Sequence, residues 1–471
     1  MDLYLDWVSS RGLDSKDYQY NGVEWCMKAE QREKACGPRG GFLADEMGLG
    51  KTITMIGLGF ASPVERTLIV LPAALVEQWK AQLRKLDGRK ILVWHKGIKM
   101  DHLLQIPVVI TTYGKIGVTE KRKVCDLHKV EWGRIIFDEA HHLRNRKTGG
   151  YMGAKLLQGR AKWLVTGTPI QNRTGDLKCL CAVLGVAASK MDKDLIQNIK
   201  REYILRRTKE SVNLSLPDLK QEEIFVSWAD DGEEALANDV HSSLPFCNVE
   251  RNLTDPVHRS DSFVNIFDTG DAEKLIMMMK ALQICAFPAL LKQDVDYALE
   301  RNELDEDHPY VAGVRSKSKL DSLLTSLLTS KNNGNGKLVF CRFHKEIDFL
   351  AHYLREKGMD AVVFDGRVSL GARRNILKRP HDVLIMQIQA GCEGLNLQEH
   401  YSEIYFVSPH WNPAIEDQAI ARCHRLGQQK EVNIYHYRCG PGADPPGRPP
   451  ASLTMDQYIV QTQKRKREYY I

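Results

Sequence analysis

Gly40-Gly41-Phe42-Leu43-Ala44-Asp45-Glu46-Met47-Gly48-Leu49-Gly50-Lys51-Thr52 is the stretch that decides how the rest of the 471-residue chain is read. A short apolar run ends in a loop with two close glycines, and a lysine and a threonine then open a segment of helical character. Closely spaced glycines let backbone N–H groups turn inward on an anion, and a helix N-terminus adds the positive end of its dipole. Lys51 can reach outer phosphates, and the Thr52 hydroxyl can hold a magnesium ion. The general phosphate-loop pattern asks for glycine where this chain has Asp45, so on this stretch alone a bare glycine-rich turn stays open beside a nucleotide site.

A strand that runs into such a loop and then a helix is the opening unit of a parallel sheet. Strand-length apolar runs recur at residues 42–44, 67–71, 91–94, 108–112, 135–137 and 163–165, with helix-length segments between them at 73–86 and 148–158. The alternation predicts an α/β, doubly wound parallel sheet. It restarts at 337–341, 361–364, 383–386, 404–407 and 432–435, which predicts a second lobe of similar size. Between about 217 and 315 the strand pattern stops, and a methionine- and leucine-rich segment at 273–291 reads as a helix with a packing stripe. The expected division is 1–215, a helical insertion 216–315, 316–454, and a helix-compatible tail 455–471 ending in Lys464-Arg465-Lys466-Arg467, read as a solvated helix face. Residues 440–450, with five prolines and three glycines, read as a loop without a core.

Composition narrows the class. The chain is 43% hydrophobic and 27% charged, as soluble globular proteins are, and it has no apolar run of spanning length and no signal-peptide pattern at its start. The expectation is an intracellular protein without a membrane partner. Eleven cysteines are scattered without a C-x-x-C pair, so neither zinc nor a disulfide framework is expected, and a reducing compartment fits. A net charge of +6 permits a polyanionic partner without demanding one.

Ile135-Ile136-Phe137-Asp138-Glu139-Ala140-His141 is a buried strand that runs out into two carboxylates. At the C-terminal edge of a parallel sheet that is where ligands bind, Asp138 suiting a magnesium ion and Glu139 an attacking water. Asp-Glu pairs also cap helices; position downstream of the 45–52 loop favours chemistry. Gln19, in Tyr18-Gln19-Tyr20-Asn21-Gly22, can read an adenine edge or simply open an amphipathic helix. Trp163-Leu164-Val165-Thr166-Gly167-Thr168-Pro169 leaves a strand through hydroxyls that suit a switch. In the second lobe, Trp411-Asn412-Pro413-Ala414-Ile415-Glu416-Asp417-Gln418 begins a helix with a cap at Asn412 and proline at the first position. The helix is expected to continue to Gly427, which places Gln418, Arg422 and Arg425 on one face.

Taken in order, these segments resemble the helicase motifs of the Swi/Snf-type ATPases, a branch of helicase superfamily two. That family's loop reads Asp-x-Met-Gly-Leu-Gly-Lys-Thr, so Asp45 is the expected residue, and Ile204-Leu205-Arg206-Arg207-Thr208-Lys209 is a further mark of it. The resemblance covers nearly the whole chain and is nearest to a DNA-repair translocase branch that carries a RING finger, though this chain has no RING cysteines. It implies two RecA-like lobes around an ATP and Mg2+ site. Gln19, Asp45, Glu46, Met47, Gly48, Leu49, Gly50, Lys51, Thr52, Gly394 and Gln418 would bind nucleotide, with the metal on Thr52 and Asp138. Lys51, Glu139, Arg422 and Arg425 would be catalytic, the arginines as fingers toward the γ-phosphate. Lys80, Thr112, Tyr113, Arg342 and Gln389 would touch DNA, and His141, Thr166 and Thr168 would couple the two events. Cys392-Glu393 and Arg367-Val368 depart from the family's usual letters.

The implied function is translocation on double-stranded DNA, gripped by its phosphates without sequence preference. It would serve repair, transcription or displacement of chromatin and other proteins, in a nucleus or a viral compartment, as a monomer with room for a recruiting protein. A strand-separating DNA or RNA helicase and a non-enzymatic DNA-binding scaffold are the alternatives. The presence of Lys51, Asp138, Glu139, Arg422 and Arg425 disfavours the scaffold.

Overall fold

The computed structural model describes residues 1–33, 37–167, 174–186, 193–242, 244, 272–391, 395–440 and 453–469. The chain divides between Leu216 and Pro217 into two compact units. In the first, seven strands, β1 (Gly40–Leu43), β2 (Thr67–Leu71), β3 (Ile91–Val93), β4 (Val108–Thr112), β5 (Glu131–Asp138), β6 (Gln158–Val165) and β7 (Ile204–Leu205), form one sheet in the order β3-β4-β2-β5-β6-β1-β7. Every pairing is parallel. Alternate residues feed two cores: Phe42, Leu68, Val70, Phe137 and Leu164 on one face, and Leu43, Ile69, Leu71, Ile136 and Val165 on the other. The helices Asp17–Glu30, Lys51–Ala61 and Val76–Leu86 cover the second face through Val23, Met55, Leu58, Trp79 and Leu83. Gly149–Leu156 and Thr174–Leu184 cover the first through Tyr151, Ala154, Leu177 and Leu180. Burial on both faces is why these strands read as continuous apolar runs.

The second unit holds six strands, β8 (Leu219–Val226), β9 (Gly336–Cys341), β10 (Ala361–Phe364), β11 (Val383–Gln387), β12 (Tyr401–Phe406) and β13 (Val432–Cys439), again all parallel, in the order β10-β11-β9-β12-β13-β8. β8 corrects the expectation that no strand lies between 217 and 315. It pairs with β13 from Leu219↔Val432 to Val226↔Cys439, so the second sheet begins before the insertion. Lys220, Gln221, Glu222 and Glu223 are exposed along it, because an edge strand has one free flank and little surface to bury.

The insertion is helical: Asp231–Ser242, Ala272–Ala286, Lys292–Glu300 and Pro309–Gly313. Leu236, Val240, Met278, Leu282 and Ile284 make a core there, joined by Cys439 and by Met455, Tyr458 and Ile459 of the last helix, Met455–Tyr469. That helix is therefore only half a solvated face: Lys464 and Arg465 are exposed, but its other side is buried. The two ends of the insertion meet. The Ala229 N–H donates to Ser318 Oγ at 2.9 Å, and Ser316 Oγ donates to Glu233 Oε2 at 2.9 Å. Gly232 and Gly313 touch so closely that a Cβ on either would lie 2.4 Å from a backbone oxygen.

Candidate active site

Strand register brings the first unit's chemistry to one edge. Leu43 of β1 and Asp138 of β5 both pair with Val165 of β6, so the loop after β1, Thr166 and the Asp138-Glu139 pair leave adjacent strand ends. Gly48 and Gly50 have φ of 95° and 77°, in the left-handed region that turns the loop into the helix Lys51–Ala61. Gln19 is buried and its Nε2 donates to the Leu49 carbonyl at 3.3 Å; a Cβ on Gly50 would meet that nitrogen at 2.5 Å. The backbone at Gly50 and the glutamine thus share one space. Lys51 Nζ donates to the Asp45 carbonyl at 2.9 Å and the Glu46 carbonyl at 3.4 Å, and Thr52 follows it half-buried in the first turn. Met47 lies against Gly167, where a Cβ would come 3.0 Å from Met47 Cγ and 3.5 Å from Lys51 Nζ.

Asp45, where glycine was the general expectation, is fully buried and receives Arg207. The guanidinium Nε donates to Asp45 Oδ1 at 2.9 Å, Nη2 donates to Oδ2, and the Arg207 N–H adds a bond to Oδ1 at 3.1 Å. Arg207 also donates to the Tyr18 carbonyl, beside Gln19. Residues 205–209 run alongside the loop: Ala44 N–H donates to the Leu205 carbonyl at 2.7 Å, Glu46 N–H to the Arg207 carbonyl at 2.8 Å, and Lys209 N–H to Glu46 Oε2 at 2.8 Å. A carboxylate at position 45 is thus the anchor that fixes the loop to the chain leaving β7. In the sequence Arg207 stands out only as a family mark, and nothing near it announces a partner 162 positions away.

The Asp138 carboxylate accepts from Trp79 Nε1 at 2.6 Å and from the Glu139 N–H at 3.0 Å. Burial, then the charge of Glu139, push its pKa from 3.8 up to about 7. Glu139 has φ 50° and ψ 50°, the left-handed conformation that a non-glycine residue adopts at a cost of about 1–2 kcal/mol. The bend sets its Oε2 3.3 Å from His141 Nδ1. His141 stacks on His142 at 4.7 Å, His142 stacks on Tyr113 at 5.6 Å, and the Tyr113 hydroxyl donates to the Asp138 carbonyl at 2.6 Å. Burial, with Asp138 and Glu139 beside it, raises the Tyr113 pKa well above its usual value. Trp79 and this aromatic relay carried no recognisable signal in sequence. Thr166 is buried and its N–H donates to the Leu43 carbonyl at 3.1 Å; Thr168 lies outside the described residues. Thr112 ends β4 half-buried, and Lys80 on the Val76–Leu86 helix sits 3.7 Å from Glu77.

Residues here fit ATP and Mg2+. The glycine turn and helix start suit phosphates, and Asp138 with Thr52 offers the oxygen donors magnesium prefers. A buried carboxylate held against ionisation is one whose charge a cation would restore.

In the second unit the helix with Asn412 as cap is shorter than expected. It spans Pro413–Ile420, with Asn412 Oδ1 accepting from Ala414 N–H at 3.2 Å, and Gln418 is buried within it. Arg422 and Arg425 lie beyond its end rather than on its face. Outside partners take the carbonyls that a longer helix would use: Leu397 N–H donates to the Arg422 carbonyl at 3.1 Å, and Gln428 Nε2 to the Cys423 carbonyl at 3.3 Å. Arg422 is buried, and Arg425 Nη1 donates to Asn396 Oδ1. Arg342 and Gln389 follow β9 and β11, which pair at Cys341↔Gln387. Gln389 is exposed, whereas Arg342 is half-buried, and burial lowers its guanidinium pKa. Gly394 lies outside the described residues.

Residues 18–288 match the family model of the SNF2-related domain, and residues 318–427 that of the helicase conserved C-terminal domain. A probable global transactivator of Orgyia pseudotsugata multicapsid polyhedrosis virus is 28% identical over 89% of this chain and 85% of its own. The ATP-dependent DNA helicase DDM1 of Arabidopsis thaliana is 26% identical over 90% of this chain, which spans only 59% of that longer protein. A solved Sulfolobus solfataricus SWI2/SNF2 ATPase core in complex with dsDNA aligns over 90% of this chain and 88% of that one, at 22% identity and a TM-score of 0.40. With the first of the two family matches alone covering more than half of its length, the chain belongs to the SNF2-related family.

Proposed function

We propose that this protein hydrolyses ATP in response to duplex DNA and uses the cycle to move along it. The observation that carries the reading is the meeting of the 44–50 loop, Lys51 and the Asp138-Glu139 pair at adjacent strand ends. Lys51, now on two loop carbonyls, would turn to the outer phosphates of ATP. Thr52 and Asp138 would hold Mg2+, which supplies charge neutralisation to the phosphates. Glu139 would orient and deprotonate water, and Gln19 would read the base. Arg422 and Arg425 would offset charge on the transferred phosphoryl group, a contribution of roughly 10³–10⁵ in rate. Lys80, Thr112, Arg342 and Gln389 would grip phosphates.

Tyr113 would join the grip to the chemistry. Its hydroxyl is already committed to the Asp138 backbone and its ring to the histidines, so displacement of this residue by DNA moves the acidic pair. That gives His141 its coupling role through the Glu139 contact. The names of the viral and plant relatives, a transactivator and an ATP-dependent DNA helicase, agree with action on DNA.

The test is steady-state ATP hydrolysis with duplex DNA, single strands and RNA, paired with displacement of a third strand from a triplex. Duplex DNA should stimulate most and permit displacement, and Lys51→Ala and Glu139→Gln should abolish both. Stimulation by single strands with strand separation would instead favour a helicase. No response to duplex DNA in either assay overturns the reading.

A further inference from the structure

Within the second unit, the insertion meets the second sheet at a small buried polar cluster. Cys285 lies on the Ala272–Ala286 helix, Cys439 ends β13 and Asp456 opens the last helix; a ligand atom from each lies within 4.8 Å of the others, and all three side chains are buried. A fourth group adjoins them. His241, on the Asp231–Ser242 helix, has its Nε2 3.5 Å from Cys285 Sγ. Its Nδ1 lies 2.6 Å from the Ala237 carbonyl, which can only accept, so Nδ1 carries the proton and the Nε2 lone pair faces the thiol. Apolar residues of the insertion core, among them Val240, Ala281 and Ile459, enclose the cluster.

Ion pairing and hydrogen bonding leave part of this cluster unexplained. Asp456 Oδ2 accepts from Lys319 Nζ and from the Cys439 N–H at 2.9 Å, but Asp456 Oδ1 is buried without a hydrogen-bond partner. A buried carboxylate oxygen left so costs about 1–3 kcal/mol, more when charged. Near Asp456 stand two sulfurs, of which Cys439 Sγ donates to the Cys285 carbonyl at 3.1 Å and Cys285 Sγ faces the His241 lone pair; all are soft or borderline donors.

We propose that Cys285, Cys439, His241 and Asp456 form a binding site for one structural zinc ion that fastens the insertion and the last helix to the second sheet. Cys285, Cys439 and Asp456 already lie within 4.8 Å of one another, and His241, in contact with Cys285 Sγ, would close on the ion as the fourth ligand. Tetrahedral zinc bonds of about 2.3 Å to sulfur and 2.05 Å to nitrogen set those two atoms roughly 3.6 Å apart, beside the 3.5 Å observed between Cys285 Sγ and His241 Nε2. The Nδ1 bond to a backbone carbonyl is the usual device for orienting a metal-bound histidine. Charge also balances. Zinc entry would release one proton from each thiol to solvent, and two thiolates, the Asp456 carboxylate, the Lys319 ammonium and Zn2+ then sum to zero. No zinc-finger spacing announces this site, because its ligands come from four elements spread over residues 241–456.

The experiment uses the full chain, purified without a metal-affinity tag, and measures bound metals by elemental mass spectrometry after equilibration with Zn2+ and desalting. About one zinc per chain is expected, and Co2+ replacing it should give the intense thiolate-to-cobalt absorption of a tetrahedral sulfur site. Cys285→Ser should reduce zinc retention by at least about tenfold. His241→Gln, which keeps a polar group of similar size, should weaken the cobalt spectrum and shift it while the far-ultraviolet circular dichroism stays unchanged. The cobalt titration on the unaltered protein does not depend on any variant folding. Zinc well below stoichiometric, with no thiolate band on adding Co2+, overturns the proposal and leaves an ordinary buried ion pair beside two thiols.

Discussion

Asp138 is a carboxylate held against its own ionisation, and that has a measurable cost. With its pKa raised from 3.8 to about 7 by burial and Glu139, the folded protein keeps a proton that the unfolded chain releases in that interval. The group's contribution to stability is therefore greatest below about pH 4 and declines as pH rises to 7. Asp138→Asn cannot ionise. In chelator-treated protein its stability relative to wild type should rise from pH 4 to pH 8, by up to on the order of 4 kcal/mol. Loss of one accepted bond from Trp79 or Glu139 costs about 1–3 kcal/mol at every pH, so the change with pH is the readout. Denaturant melts at the two pH values would settle it, and a constant offset would refute the pKa assignment. For Glu139→Gln we expect ATP turnover to fall by about 10²–10⁴ while a fluorescent nucleotide still binds. Lys51→Ala should lose both.

Elements reached through side chains divide into those the sequence announces and those it hides. The loop, the acidic pair and the buried strands were readable because burial on both faces leaves unbroken apolar runs, and Asn412 with Pro413 marks a helix start. The helix end after Ile420 was not, since the carbonyls of Arg422 and Cys423 are taken by Leu397 from well upstream and by a side chain, Gln428, from just beyond. β8 was hidden by its own charges, which an edge strand tolerates. The Arg207–Asp45 fork was hidden because the two partners stand 162 positions apart. Arg207→Ala leaves Asp45 buried and uncompensated, and we expect a loss of about 3–5 kcal/mol in urea unfolding together with a raised KM for ATP. Arg207→Lys should not rescue it, because a point charge cannot make the fork. The last helix reaches the Pro413–Ile420 helix, which leads into the two arginines, through Gln463, whose Nε2 donates to Glu416 Oε1 at 2.8 Å and to the His410 carbonyl at 2.6 Å, and through Arg467 on Asp417. Arg467 is half-exposed, so Arg467→Ala should cost less than about 1 kcal/mol. Gln463→Ala, which strips a buried carboxylate of a donor, should cost about 1–3 kcal/mol and lower kcat more than Arg467→Ala does.

For the whole molecule, the division after Leu216 carries a prediction about where the chain can be cut. A fragment beginning at Pro217 retains β8 and a covered β13. One beginning at residue 316, where the second lobe was first expected to start, exposes the full length of β13 as an unpaired edge. The shorter fragment, which also loses the insertion core beneath the last helix, should melt lower and scatter light on standing, the scattering being the mark of a bare edge; equal behaviour of the two would show that neither β8 nor the insertion adds stability. The insertion has the opposite property. Because Ala229 and Ser318 are hydrogen-bonded neighbours and Gly232 touches Gly313, the chain departs from the second sheet and returns to it at nearly one point. A segment with coincident ends behaves like a socketed attachment. It can be lengthened at its far end while the sheet behind it keeps its register, so long as the helix faces that pack on Cys439 and the last helix are kept.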